Sequence, residues 1–466
     1  MRNTLSLFAC VTICATGLAC GSSANNTGTP GGTGGADAGP AVDNDAGTPD
    51  AAADAEPVLD HGTPSVTYPA FKPAFGQLQN AGHVLKNPVV VAITWNGEAA
   101  QTSLESFVDT LGATDYWKAT TAEYGVGPAK SGATNHVHMT TAAPAQLTDA
   151  DIQALVTTNA GKTAGWPAPT PETIYAFFLP AATSLQIQTG PGGASDACKT
   201  GVGGYHDEVK VGADAVSYAV VPACDFGRGH TVGEYVTLSM SHELIEAATD
   251  PTPNSNPGVK GFESDGFAWD YFQELQNENA DSCEFFREST FEVKETAPGP
   301  FDFWVQRSWS NVSAAAAHDP CVPAAAGTYF NVTPLALEGV SVTLPGQLTG
   351  GKTQKVPTKG IHVAPGKTVT FPVGFYSDGP SDPWTISVAA GNPVLAGSAG
   401  GSQIDQYNQS SLTATVDKTT GQNGEKAFVT VAVKTGGALF QGEIVTVSSK
   451  RGTVTHYMPI WIANEQ

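Results

Sequence analysis

The apolar positions divide this chain into three stretches of different period. Up to about residue 62 there is one short apolar run, Leu5 to Leu18, and then almost nothing to bury. From about Thr63 to Ala325, compact apolar runs alternate with segments of helical spacing. "NPVVVAITWNG" (Asn87–Gly97), "TIYAFFLP" (Thr173–Pro180) and "AVSYAVVP" (Ala215–Pro222) predict buried strands, the first closed by Asn-Gly and the others by Pro. Between them, Leu104, Phe107, Val108 and Leu111 share one helical face, and a break is expected around Gly112. "LTDADIQALVTTNAG" opens with Thr148-Asp149, residues that cap a helix, and predicts another one. Strands interleaved with helices specify an α/β or α+β domain over residues 63–325.

From Phe330 the period changes to two. "VSVTL", "TVTFPVGFY", "WTISVAA", "AFVTVAVKT", "EIVTVSS" and "TVTHYMPIWI" are short alternating runs parted by Gly, Pro, Asn and Asp. They predict an immunoglobulin-like antiparallel β-sandwich over 326–466. It has no cysteine and only His362 and His456 as imidazoles, so it reads as an accessory or binding module.

The N-terminal stretch is a targeting segment. Arg2 supplies the positive end, the apolar run is too short to span a bilayer, and "GLAC" ends at Cys20. This resembles a lipoprotein cleavage box over residues 1–20, with Cys20 lipidated and Gly17 where Leu is more usual; plain secretion is the alternative. Residues 21–62 are rich in Gly, Ala, Asp, Pro, Thr, Ser and Asn, and predict a flexible tether. The expectation is an exported protein, lipid-anchored at a bacterial outer membrane or cell surface.

Charge narrows the partners. With 44 Asp and Glu against 22 Lys and Arg, the chain carries a formal charge of -22 and no basic run. Nucleic acid is thereby disfavoured, since phosphate binding needs clustered cations. Beyond the signal segment, Cys198, Cys224, Cys283 and Cys321 remain. In an oxidising compartment they predict two disulfides, with three pairings open. The sequence-local pairing, Cys198–Cys224 with Cys283–Cys321, is the expectation.

One helix carries chemistry. "EYVTLSMSHELIEAAT" (Glu234–Thr249) has an apolar stripe through Val236, Met240, Leu244 and Ala247, and Pro251 stops it. His242 and Glu246 are i and i+4 and so meet on one face, with Glu243 beside them. In H-E-x-x-H proteases two such histidines bind zinc and the Glu is general base. Here the motif is H-E-x-x-E. A carboxylate ligates zinc too, which leaves a harder and less zinc-selective site. A third ligand must come from elsewhere: Glu278, Asp281, His206, His230 and Asp250 are candidates. The bland alternative is a surface helix whose charges pair across the turn. "NHVHM" places His136 and His138 on one strand face, a weaker metal candidate. The aromatics of "FAWDYF" (Phe267–Phe272) line either a sugar groove or the core. No phosphate loop accompanies "GPGGA" near Gly190, and no serine-hydrolase elbow is present.

Across Gly203 to Pro323 the order "GGYH", "SHELIEAATDP", "AWDYFQELQNENADSCE", "FWVQRSWSN", "HDPCVP" resembles the EXORDIUM-like, or phosphate-induced, family of secreted proteins and its bacterial relatives. The matched positions are His206, His242, Glu243, Glu246, Asp250, Glu278, Asp281, Cys283, Gln306, Trp309 and Cys321. Gly203 stands where plant members usually show Cys, so the disulfide pattern departs there. The resemblance implies a secreted protein associated with cell walls and growth, a polar site without a named reaction, and a disulfide at Cys283 holding Asp281.

Two functions follow. In the first, a zincin-like metallohydrolase of peptidase type binds zinc or another divalent metal through His242, Glu246 and Asp281 or Glu278, with His206 near and Glu243 as general base. In the second, a non-catalytic surface or matrix protein uses the same residues as a structural cluster, and the sandwich binds an extracellular peptide or polysaccharide.

Overall fold

The computed structural model describes residues 58–464, apart from 81, 189–192, 228, 274–277, 285–287, 294–302, 345–351, 392, 396–403, 408–409 and 435–441. The signal segment, Cys20, nearly all of the tether and most of the "GPGGA" loop lie outside the described residues.

Five strands form the first sheet: β1 (Val89–Thr94), β2 (His136–His138), β3 (Thr173–Leu179), β4 (Tyr205–Val211) and β5 (Asp214–Pro222). Their order is β2-β1-β3-β5-β4, and all neighbours are parallel except β4, which pairs antiparallel with β5. Parallel strands need crossovers, and these put helices on both faces. The central strands are therefore buried on each side, which is why they read as unbroken apolar runs. Ile174, Ala176 and Phe178 of β3 face one apolar layer, and Tyr175, Phe177 and Leu179 face the other.

Helices α1 (Gln101–Leu111), α2 (Asp115–Thr121) and α4 (Val232–Thr249) bury apolar residues in the first layer, and α3 (Asp149–Asn159) in the second. As expected, α1 ends before Gly112, and Thr148 caps α3 in a reciprocal box with Asp151. Helix α4 starts with the same device, Thr231 with Glu234.

Helix α4 is buried nearly all round, rather than along one stripe. Beyond Met240, Leu244 and Ala247, Ser241, Glu243, Glu246 and Thr249 are also buried. The sheet covers one side. The strand β6 (Trp304–Gln306) covers another, where the backbone N–H groups of Trp304 and Gln306 donate to Thr237 Oγ1 and Ser241 Oγ of the helix. A surface helix with charges paired in solvent is thereby excluded.

The C-terminal part is a sandwich, as its alternation predicts, but it is not wholly antiparallel: Gln354–His362 pairs parallel with Val454–Ala463. A four-stranded sheet joins Phe330–Pro334, Thr368–Ser377, Lys426–Val433 and Leu412–Val416 in that spatial order. A six-stranded sheet faces it, with Gly442–Arg451 and Val454–Ala463 at its centre. Alternate residues such as Val429, Val431, Val445 and Val447 fill the space between.

Residues from His61 onward form one compact unit. The aromatics of α5 (Phe267–Phe272) pack into its core. Phe267 and Tyr271 meet Trp461 of the sandwich at ring-centroid distances of 5.0 and 5.4 Å. The sugar-groove reading of "FAWDYF" is therefore replaced by a core role. Both disulfides follow the sequence-local pairing, Cys198–Cys224 and Cys283–Cys321, with Cα separations of 5.3 and 5.6 Å.

Candidate metal centre

Three chain segments meet beside α4. Its own buried face supplies His242, Glu243 and Glu246. The antiparallel edge strand β4 supplies His206. The segment from Glu278 through the short helix α6 (Asp281–Glu284) supplies Glu278 and Asp281.

Glu246 is the hub. Its Oε1 accepts the backbone N–H groups of Ala280 and Asp281 at 3.2 and 3.1 Å. That fixes the carboxylate and turns Oε2 towards two imidazoles: His242 Nε2 at 3.0 Å and His206 Nδ1 at 3.7 Å. Asp281 Oδ1 stands 3.4 Å from the same His242 Nε2. Tetrahedral ligands with bonds of about 2.0–2.1 Å lie about 3.3 Å apart, so these gaps match a coordination shell. Donor atoms of His242, Glu246 and Asp281 all fall within 4.8 Å of one another, and so do those of His206, Glu243 and Glu246.

The tautomer of His206 is set by the chain. Its Nε2 lies 3.1 Å from the carbonyl of Asp250, which can only accept, so Nε2 carries the proton. The other nitrogen, Nδ1, faces Glu246 and, at 3.8 Å, Glu243 Oε2. This hydrogen bond to a carbonyl is the outer-shell pattern that orients metal-binding histidines.

A second layer holds the acidic turn. Gln306 Nε2 donates to the Ala280 carbonyl at 2.9 Å, the Trp309 N–H donates to Asn279 O at 2.8 Å, and Thr249 Oγ1 donates to Asn279 Oδ1 at 3.2 Å. The disulfide from Cys283 closes the same turn onto Cys321. The late Gln and Trp of the sequence pattern thus act on the site through Asn279 and Ala280.

Charge is the unusual feature. Glu243, Glu246, Glu278, Asp281 and Glu284 gather around two imidazoles, and among the described residues no Lys or Arg pairs with them. The His206 and Glu246 side chains are each 2% exposed, so solvent does little to screen them. Burial pushes Glu278 and Glu284 well above the ordinary carboxylate range, and nearby acids add to it. Asp281 is raised by burial and by Glu246. Burial alone would lower both histidines, but Glu278, Glu243 and Glu246 carry His206 well above its ordinary range, and Glu246 and Asp281 do so for His242. A buried anionic excess is costly unless protons or a cation neutralise it. A divalent cation fits this donor set, its spacing and its charge.

Not every candidate converges. His230 sits at the start of α4, 3.7 Å from Glu234 and against the ring of Trp304, and contributes nothing here. Asp250 spends its carboxylate on the Gly258 N–H at 2.7 Å and offers only its carbonyl. Glu278 faces His206 Nε2 at 3.5 Å, which leaves Asp281 as the acidic neighbour of His242. Sequence reasoning did not single out Gly204, although "GGYH" held the signal: a Cβ there would lie 2.8 Å from Glu243 Oε1.

Comparison with known families finds none that matches the chain, and no curated protein is similar. Among solved structures, the ASH / PapD-like domain of human CEP192 (PapD-like domain 7) aligns with 28% of this chain and 86% of that domain, at 11% identity and a TM-score of 0.16. That likeness is too slight to bear on fold or function.

Proposed function

We propose that the protein is an exported metal-dependent hydrolase of zincin-like architecture, acting on amide bonds of extracellular peptides. One observation carries this reading: Glu246, anchored through Oε1 by two backbone N–H groups, presents Oε2 to His242 beside Asp281 in a cluster with excess negative charge. The export half rests on the N-terminal pattern and on the two disulfides, which persist in oxidising compartments.

His242, Glu246 and Asp281 would hold the ion; the imidazole suits zinc, and the two carboxylates make the set harder and less zinc-selective than a two-histidine one. A bound divalent ion supplies Lewis-acid polarisation of the scissile carbonyl. Glu243 takes a proton from the attacking water as the new C–O bond forms. Glu243 then returns that proton to the departing nitrogen as the C–N bond breaks, while His206, 3.8 Å from Glu243 and locked by the Asp250 carbonyl, positions its carboxylate. Access is from the side of His242 and Glu278, whose side chains are 13% and 23% exposed.

A second reading has its own support. The near-complete burial of His206 and Glu246 also suits a structural ion that ties β4, α4 and α6 together, leaving the sandwich to bind. Glu243→Gln separates the two. Under the hydrolase reading it keeps the metal and loses peptide hydrolysis by about 10²-fold or more. Equal hydrolysis in parent and variant, or none in either across a peptide library, would leave the structural reading standing.

A further inference from the structure

A second cluster lies at the opposite edge of the sheet from β4. Strand β2 pairs only with β1 among the sheet's strands, and its alternation sends Val137 into the core and His136 and His138 to the other face. Helix α1 buries Leu104, Phe107, Val108 and Leu111, which leaves Glu105 and Asp109, one turn apart, against that face. Glu105 Oε1 reaches His138 Nε2 at 2.6 Å, and Glu105 Oε2 lies 3.4 Å from His136 Nδ1. Asp109 Oδ1 meets His136 Nε2 at 2.9 Å.

We infer that Glu105, His136 and His138 form a second divalent-metal site, with Asp109 orienting His136. Asp109 can only accept while it is ionised, so its bond places the His136 proton on Nε2 and bares the Nδ1 lone pair towards Glu105. This is the carboxylate–histidine arrangement that prepares an imidazole for a metal. Glu105 is held in turn by Gln101, whose Nε2 donates to Oε1 at 3.0 Å. The ligand atoms of the three residues lie within 4.8 Å of one another. Among the described residues no Lys or Arg pairs with Glu105 or Asp109, so the two carboxylates meet imidazoles and the neutral Gln101 amide. Two imidazoles and one carboxylate select a borderline ion of the zinc class over calcium or magnesium, which prefer oxygen alone. His138 is 55% exposed, so the ion is reached from solvent and exchanges freely, unlike one beside Glu246. Bound there, it ties α1 to an edge strand that pairs with only one neighbour in its sheet.

This inference does not depend on the buried centre, and the test keeps them apart. Zn²⁺ would be titrated calorimetrically into the chelator-treated full chain, into His138→Gln and Asp109→Asn, and separately into Glu246→Ala. The parent and Glu246→Ala should both show a rapidly exchanging Zn²⁺ equivalent that His138→Gln lacks and that Asp109→Asn binds about 10–100-fold more weakly. Scanning calorimetry should show the matching Zn²⁺-induced rise in Tm reduced in both surface variants. His138 and Asp109 are exposed, so neither change opens the core, and circular dichroism checks that both variants fold. A titration and a Tm rise that are identical in parent, His138→Gln and Asp109→Asn would overturn the site.

Discussion

Gly204 and Glu243 are fitted to each other: a methyl at Gly204 would lie 2.8 Å from Glu243 Oε1 and 3.0 Å from Val221 Cγ2. Strand β4 can therefore approach α4 closely enough to bring His206 beside Glu243 only because residue 204 has no side chain. Gly204→Ala is predicted to displace Glu243 and to cost about 1–3 kcal/mol from overpacking. Peptide hydrolysis should fall at least tenfold while metal content stays at the parent's level. Unchanged turnover in a folded Gly204→Ala protein would remove Glu243 from the mechanism.

The acids predict an unusual pH dependence for the metal-free protein. Burial pushes Asp250 from its ordinary 3.8 up to about 6, and Asp281, Glu278 and Glu284 are also raised. A carboxyl raised in the folded state binds more protons there than when unfolded, so stability falls as pH rises. For Asp250 that loss runs from about pH 4 to pH 6. Raised histidines have the same sign: His206 and His242 stabilise below their ordinary 6.5, and the contribution is lost as pH climbs through their higher folded values. Chelated protein should thus melt at a lower temperature at pH 8 than at pH 5. Zinc should reverse the order, because binding displaces those protons and strengthens with pH. Melting curves with and without chelator across this range check both signs.

Reduction should act unequally on the two disulfides. Cys283 belongs to the same turn as Asp281, and its bond to Cys321 closes a separation of 38 residues. Losing either bond should cost about 2–5 kcal/mol. Only Cys283→Ser with Cys321→Ser should also weaken metal binding, by about tenfold or more, as the turn that presents Asp281 and anchors Glu246 loosens. Equal metal affinity in both disulfide variants, measured by competition with a chelator, would contradict this.

The shared aromatic core predicts joint unfolding. Phe267→Ala removes a ring that packs edge-on against Trp461, and should cost about 3–5 kcal/mol. Because α5 belongs to the same apolar cluster as the sandwich, the α/β part and the sandwich should melt in one transition in the parent. Two separated calorimetric transitions in the parent would count against that coupling.

Much of this was legible in the sequence where local chemistry decides. Unbroken apolar runs marked β1, β3 and β5, and period-two alternation marked the sandwich. His242 and Glu246 met as their i, i+4 spacing requires. What sequence could not give was tertiary. The stripe on α4 predicted one buried face, yet β6 covers a second, and hydrogen bonds to Thr237 and Ser241 make that burial tolerable. That Asp281 rather than Glu278 neighbours His242, and that His206 rather than His230 joins the cluster, depends on the antiparallel turn of β4 and on the backbone N–H groups that aim Glu246. Neither leaves a periodic trace. Of the residues that the EXORDIUM-like resemblance singles out, His206, His242, Glu243, Glu246, Glu278 and Asp281 lie together beside α4.

The most direct measurement is the metal content of the purified chain beside His242→Ala and Glu246→Ala, by plasma mass spectrometry after zinc-supplemented preparation and brief chelator wash. The wash strips the exposed His138 site and leaves the buried one. About one zinc-class ion per parent chain, absent from both variants, is the predicted result. A folded parent without metal, or variants that retain it in full, would contradict the metal centre and make His242 and Glu246 a proton-bridged structural pair.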